Sequence, residues 1–352
     1  MWRFIITAFV VWRVSLLTTA LVGSAFIPQR SGFLGLSVWA NFDGVHYLSI
    51  AQNGYMRFQE AFFPLYPLLT GFLARSIFLG NYLWAGLFIS HISFIIAIFI
   101  FYKLLSLDFS QKQTRLAIFG LLLFPTSLFF GSVYTESLFL VLILASFYMA
   151  RREKWFWAGV LGGLASATKL VGIFLLPALF WEWYQDKIKN QRSKINPLNN
   201  PLWLSLIPVG LISYMVYLNN FVGDPLAFMH AQPAFGAQRT GGEIIFLPQV
   251  LWRYFKIFST VPFTYYDFWI AFLEFFVFSV VVLTLIWFWK KEARRSYLIF
   301  SFLALIGPTL TGTFSSIPRY AGVLFPIFIF YGLIKNKRLV TFLYAGSFLL
   351  LL

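Results

Sequence analysis

Only 11% of the residues in this chain are charged. Against that background an acid and a histidine three positions apart, Asp43 and His46, stand out in the stretch Asn41-Phe42-Asp43-Gly44-Val45-His46-Tyr47. A carboxylate held at a bilayer surface is suited to act as general base toward an acceptor hydroxyl, with a nearby histidine as hydrogen-bond partner or stabiliser. An enzyme is therefore the first hypothesis. Tyr47 lies on the same face and adds a hydroxyl. A plainer role also fits: Gly44 to Gln52 reads as a short helix stopped by Asn53-Gly54, with Asp43 at its N-cap, and the acid would then serve the helix alone.

The elements that must hold these residues are membrane helices. The chain has 352 residues, of which 60% are hydrophobic, and its mean hydropathy is +0.78. That is too much apolar material for one soluble core, so the expected fold is an all-α polytopic membrane protein. The 45 Phe and 13 Trp residues suit lipid-facing surfaces and interfacial belts. With no cysteine, disulfides, thiolate metal sites and cysteine nucleophiles are excluded. The net charge of +15 does not form a nucleic-acid patch. Its basic residues fall at Arg3 and in short clusters between apolar segments, at Lys103/Lys112/Arg115, Arg151-Arg152 with Lys154, Lys187/Lys189/Arg192/Lys194, Lys290-Lys291 with Arg294-Arg295, and Lys335/Lys337/Arg338. This is the pattern of cytoplasmic loops.

Candidate spans lie near 4–26, 82–105, 116–133, 136–150, 155–168, 170–184, 201–222, 266–289, 296–313, 319–334 and 338–352, about 11 in all, several of them shorter than the ~20 residues that cross a hydrocarbon core. The first reads as a retained helix rather than a signal peptide, because its apolar run is long and Arg13 interrupts it. Residues 155–184 must go out and back as a tight pair turning near Thr168-Lys169, with Gly159, Gly162 and Gly163 letting the two halves approach closely. Residues 62–79 read as interfacial or re-entrant. With this parity 18 of the 27 basic residues face the cytoplasm, eight face outward and Arg13 lies within a span. The outer loops, about 27–81 with short interfacial helices and about 222–265, would cap the active face of one domain covering 1–352. No internal repeat or low-complexity tract divides it.

Five segments in order carry a family resemblance. Asp43-Gly44-Val45-His46-Tyr47-Leu48-Ser49-Ile50-Ala51-Gln52-Asn53-Gly54-Tyr55 with Phe62-Phe63-Pro64-Leu65-Tyr66-Pro67 is the first. It is followed by Phe124-Pro125-Thr126-Ser127 with Tyr134-Thr135-Glu136-Ser137-Leu138-Phe139, by Ala165-Ser166-Ala167-Thr168-Lys169, by Gly223-Asp224-Pro225-Leu226-Ala227-Phe228 with Ala231-Gln232, and by Pro318-Arg319-Tyr320 with Phe325-Pro326. Together they span nearly the whole chain and resemble the PIG-V family of membrane mannosyltransferases, which are of the GT-C class and include the enzyme that adds the second mannose of the GPI anchor.

The resemblance implies a GT-C-type helical bundle, a polyprenyl- or dolichyl-phosphate-linked sugar donor, typically mannose, and inverting transfer to a glycolipid or cell-envelope acceptor hydroxyl. Asp43 matches the family's first-loop acid and is the expected base, with His46 beside it. Such a displacement also needs cations for the departing phosphate; Lys169 and Arg319, placed at outer ends of spans, are the candidates. Tyr47, Tyr134, Glu136, Asp224, His230 and Tyr320 complete the expected substrate-binding set. Each has a structural alternative. Lys169 would snorkel, Arg319 would anchor at the interface, Glu136 would sit at a helix N-terminus, and Asp224-Pro225 would start a turn.

No glycine-rich nucleotide loop and no metal-ligand spacing is present, so the expectation is a metal-independent enzyme without a cofactor, and nucleic acid is not an expected partner. Short loops and the lack of Asn-X-Ser/Thr sites favour a prokaryotic plasma membrane over the endoplasmic reticulum, with the site on the non-cytoplasmic face. A lipid or solute transporter, or a non-catalytic subunit that binds a lipid-linked sugar, is the alternative.

Overall fold

The computed structural model describes residues 1–26, 35–189, 200–291 and 294–351. Among the described residues all regular structure is helical, and there is no strand. Four segments are long and apolar enough to cross a membrane: Trp2–Phe26, Tyr82–Leu105, Pro201–Val222 and Tyr266–Lys290. The chain is thus an α-helical protein with the character of a membrane protein.

The first six helices are α1 (Trp2–Phe26), α2 (Asp43–Asn53), α3 (Leu65–Ser76), α4 (Tyr82–Leu105), α5 (Gln111–Leu122) and α6 (Glu136–Ala150). Local signals explain several of their ends. Asn81 caps α4 by accepting from the Trp84 N–H at 3.0 Å. Ser110 and Gln113 cap α5 reciprocally, the Ser110 hydroxyl accepting from the Gln113 N–H and the Gln113 amide oxygen from the Ser110 N–H. Gly54, at φ 81°, closes α2 by donating its N–H to the Ile50 carbonyl at 2.9 Å. At 12 residues, α3 is ~18 Å long, short of a ~30 Å hydrocarbon core.

The expected span 116–133 is broken. α5 ends at Leu122, and the chain turns through Phe124-Pro125 into a 3-10 helix, Ser127–Gly131. Proline lacks the donor that a continuing helix needs and pushes the residue before it out of the helical region. The expected 319–334 is likewise split into α14 (Ile317–Ala321) and α15 (Pro326–Leu333). Pro326 is at ease where it stands because the first helical position has no partner for an N–H.

Between these breaks lie α7 (Trp155–Ser166), α8 (Leu175–Lys189), α9 (Ile207–Val222), α10 (Ala227–His230), α11 (Leu247–Thr260), α12 (Tyr266–Lys290) and α13 (Arg295–Thr309); α16 (Lys337–Leu351) follows α15. The helices gather into two compact units. The first holds residues 1–55, 64–148 and 328–352, and the second holds 56–63 and 149–327.

In the first unit α1 runs antiparallel to α4. Trp2 stacks on Phe99 with ring centres 4.3 Å apart, and eight residues or so further on Phe9 and Trp12 meet Phe94. α3 and α2 pack on α4 as well. α15 returns to this unit, where Tyr331 stacks on Tyr344 and Tyr344 donates to the Leu116 carbonyl at 2.6 Å.

In the second unit α7 packs on α9, α8 on α13, and α12 on α13 and α14. The glycines of α7 permit the first contact. A Cβ on Gly159 would stand 2.0 Å from the Trp203 carbonyl oxygen, and one on Gly163 would stand 2.7 Å from that of Leu206. The sequence pointed to close approach between the two halves of 155–184. Gly159 and Gly163 instead admit the 3-10 helix Pro201–Leu206 that leads into α9, Gly162 meets the Ile207 side chain at the start of α9, and Gly172 closes against Ala165.

The expected turn falls in place. Thr168 and Lys169 both donate backbone N–H groups to the Ala165 carbonyl at 3.0 Å, and Lys169 is extended. Far from that turn Glu182 is fully buried, with Arg151, Arg294 and the Ser296 hydroxyl around it. α13 leads away from this cluster toward residues 310–320. Lys169 precedes α8 by one short 3-10 turn, so it too lies at the end of the unit opposite Arg294 and Arg295.

Candidate functional site

The first unit brings two of the sequence segments into contact. Trp39 accepts at its carbonyl from the Val133 N–H at 2.8 Å, and the Tyr134 hydroxyl donates to the Asn41 carbonyl at 2.9 Å. Gly44 lies so near this strand of chain that an added Cβ would meet the Val133 oxygen at 3.2 Å. The start of α2 therefore rests on residues 133–135. Asp43, His46, Tyr47, Tyr134 and Glu136 are gathered at one end of this unit.

Their local settings differ. Asp43 and His46 are half-buried, whereas Tyr47, Tyr134, Thr135 and Glu136 are buried. The Tyr47 hydroxyl is 3.5 Å from that of Thr135, and its ring meets those of Tyr66 and Tyr134. Tyr66 in turn donates to the Gly86 carbonyl and pairs with Ser90, each at 2.9 Å. Glu136 opens α6, where the unpaired N–H groups of a first turn favour a negative charge.

Asp43 does not cap α2 as the sequence led us to expect. It is the first helical residue, and Phe42 occupies the capping position with φ 54° and ψ −117°. A left-handed φ is costly for a bulky residue, of order 1–3 kcal/mol, and Phe42 is 82% exposed, so little packing offsets it. The strained residue adjoins the acid, and such strain concentrates where geometry is held for use.

The second unit carries the expected cations. The Lys169 ammonium is 5.0 Å from the centre of the Tyr320 ring, and the Arg319 guanidinium carbon is 5.6 Å from the centre of the same ring. Two cations 150 positions apart in sequence thus share one aromatic ring, and all three side chains are half-buried. Attraction to the ring quadrupole helps to hold each positive charge in place.

Sequence reasoning did not single out Arg239, which donates to the Ser315 and Ser316 hydroxyls at 3.3 and 3.1 Å. Ser316, at φ 69°, begins α14, and its carbonyl receives the Arg319 N–H at 3.0 Å. Arg253 secures the preceding turn through the Gly312 carbonyl at 2.7 Å. The available signal was a basic residue in a loop that the sequence reading placed outside, where cytoplasmic charge bias would leave few.

Asp224 and His230 pair with each other. The carboxylate accepts from the Leu226 N–H at 2.9 Å, which is the turn expected of Asp-Pro, and lies 2.6 Å from His230 Nδ1. That hydrogen bond from His230 holds the Asp224 carboxyl below the usual carboxylate range. Residues 240–245 connect this pair to the turn before α14, with Thr240 donating to the Thr311 carbonyl at 2.9 Å and Gly241 close to the His230 carbonyl. Phe62 and Phe63 also belong here. Their segment is pinned by the Tyr214 hydroxyl, which bonds the Glu60 and Phe62 carbonyls, and by ring contacts from Phe63 to Phe228 and from Phe62 to Phe235.

Among the described residues no three His, Cys, Asp or Glu side chains gather as a metal site would require. Neither a protein-family model nor a curated protein matches the chain.

Proposed function

We propose that the chain is an inverting membrane glycosyltransferase of the PIG-V type. It moves a sugar, mannose on the family resemblance, from a polyprenyl-phosphate donor to a glycolipid or cell-envelope hydroxyl at the outer face of a prokaryotic plasma membrane, crossing the bilayer in about 11 full or partial spans. The observation that carries this reading is the shared Tyr320 ring. Lys169 and Arg319 come from segments far apart in sequence, yet stand together as two positive charges on one support. A pair of fixed cations is what a departing phosphate requires, and the arginine fork matches phosphate oxygens bidentately.

Within this reading each residue takes the role that the family resemblance implies. Asp43 takes the proton of the acceptor hydroxyl as its oxygen bonds to the anomeric carbon. The bond from that carbon to the phosphate oxygen breaks, and the electron pair leaves with the lipid phosphate, whose charge Lys169 and Arg319 balance. Tyr134 sets the loop that carries Asp43 through Asn41, and Arg239 sets the turn that carries Arg319. The rival transporter reading would use Glu274, a charge inside a span, but that carboxylate is already engaged by the Tyr254 hydroxyl.

The test uses the purified full chain in liposomes with polyprenyl-phosphate-mannose and envelope glycolipid acceptors. Replacing Asp43 by Asn is expected to lower transfer at least 1,000-fold, about 4 kcal/mol of barrier, while leaving donor binding within a factor of three. Full transfer by Asp43→Asn refutes its role as base. Translocation of the lipid with no covalent product refutes the transferase reading.

A further inference from the structure

Arg13 is a charge within the apolar helix α1 that the functions above leave unused. It sits midway along α1, 11 residues from Trp2 and 13 from Phe26, which is ~16 Å or more from either helix end at 1.5 Å per residue. An arginine side chain cannot reach either end from there, so snorkelling does not explain it. Val10 and Val14 beside it are exposed on an apolar helix, a surface suited to lipid. An ionised side chain at such a depth normally pairs with another charge or serves a ligand.

Its surroundings are specific. The guanidinium lies over the buried Trp39 ring, 4.0 Å from its centre, so one face is covered by an aromatic that attracts cations. Nη1 faces Gly131, where an added Cβ would stand only 2.7 Å from it, and no larger residue fits without moving the guanidinium. Nη1 is buried and has no hydrogen-bond partner among the described residues. Trp12 fixes the adjoining wall through its indole N–H to the Ser127 hydroxyl at 3.0 Å. The fork is thus stacked and positioned, and one of its in-plane donors, Nη1, of the kind that recognise an oxyanion, is left unpaired by the described residues.

We propose that Arg13 is an anion-binding residue at membrane depth that takes the oxygens of a lipid phosphate ester, with Trp39 as its backing and Gly131 as the gap it occupies. The exposed apolar surface of Val10 and Val14 beside Arg13 suits the chain of a lipid, which free phosphate lacks. Either a bilayer phospholipid or a polyprenyl phosphate presents that chemistry. The inference does not rest on the transferase reading, since it concerns binding to the first unit alone.

The experiment measures lipid adducts on the purified full chain by native mass spectrometry, in the Lys169→Ala/Arg319→Ala background so that the cations of the second unit do not contribute. The probes are undecaprenyl phosphate, phosphatidylglycerol, neutral undecaprenol and inorganic phosphate. The expected result is at least tenfold tighter binding of one phosphate lipid than of undecaprenol, with that lipid identifying the source. Arg13→Gln is expected to erase the difference, and Arg13→Lys, which keeps the charge without the fork, to reduce it. Gly131→Ala, which displaces Nη1 but retains the arginine, is expected to weaken the phosphate lipid tenfold with undecaprenol unchanged.

Equal binding of phosphate lipids and undecaprenol overturns the proposal without any Arg13 variant. Unchanged selectivity in folded Arg13→Gln or Gly131→Ala does so too. Inorganic phosphate binding as tightly as the lipid overturns the lipid assignment.

Discussion

If Lys169 and Arg319 are held for phosphate by the Tyr320 ring, then removing the ring while keeping both charges must weaken phosphate binding. Tyr320→Leu does this, and Tyr320→Phe is its control because it keeps the ring face and loses only the hydroxyl. The separations are 5.0 Å for Lys169 and 5.6 Å for Arg319, both within the ~6 Å range of a cation over a ring. All three side chains are half-buried, so each contact is worth about 1 kcal/mol, between exposed and desolvated cases. Losing both releases two long side chains that must be ordered again on binding, at about 0.5–1.5 kcal/mol each. The expected loss is about 1–3 kcal/mol, or roughly five- to 150-fold in affinity. Calorimetric titration with a short-chain polyprenyl phosphate reads it directly. Tyr320→Phe is expected to stay within threefold of the wild type. Wild-type affinity in Tyr320→Leu refutes the reasoning, and so does a Phe variant as weak as the Leu variant.

Packing between α7 and α9 gives a stability prediction. A Cβ at Gly210 would lie 2.0 Å from the Gly163 carbonyl oxygen and 2.5 Å from the Ser166 hydroxyl, so Gly210→Ala is expected to cost ~1–3 kcal/mol or more. Gly346→Ala, where nothing lies within 4 Å, is expected to be neutral or stabilising, and thermal unfolding in detergent compares the two. A further prediction follows from the lowered Asp224 pKa. The pairing with His230 contributes stability above the ordinary aspartate value, and that stability is lost as pH falls through the lowered folded value. Limited proteolysis of the 224–242 loop as a function of pH is expected to show an acid step that Asp224→Asn removes; an unchanged step in that variant contradicts the assignment.

Much of the helical framework was legible because apolar runs and their punctuation are local. The run from Glu136 to Ala150 and the stop at Gly54 follow from neighbouring residues, and both stand as read. The breaks at Phe124-Pro125 and before Pro326 were also written in the sequence, but a hydropathy run passes over a proline that the backbone does not. Phe42 as the capping residue was not legible. Its neighbours Trp39, Asn41 and Gly44 are in contact with residues 133–134, about 90 positions away, which no local pattern discloses.

Gly159 and Gly163 disclosed that some backbone would come close, yet not that it would be the 3-10 helix Pro201–Leu206 leading into α9. Arg13 was legible as a charge inside a span, while its stacking on Trp39 and fit against Gly131 were not. Sequence alone determined an apolar helical chain, the clustering of its basic residues between apolar runs, and the few residue types that could do chemistry. These follow from the energetics of single residues and short periodic segments. Only the tertiary structure decided that Lys169 and Arg319 share Tyr320, that Arg239 supports their turn, and that the Asp43 loop rests on Tyr134. Each of those depends on helices packing across long sequence separations, where side-chain shape and hydrogen bonding select the partner and composition does not.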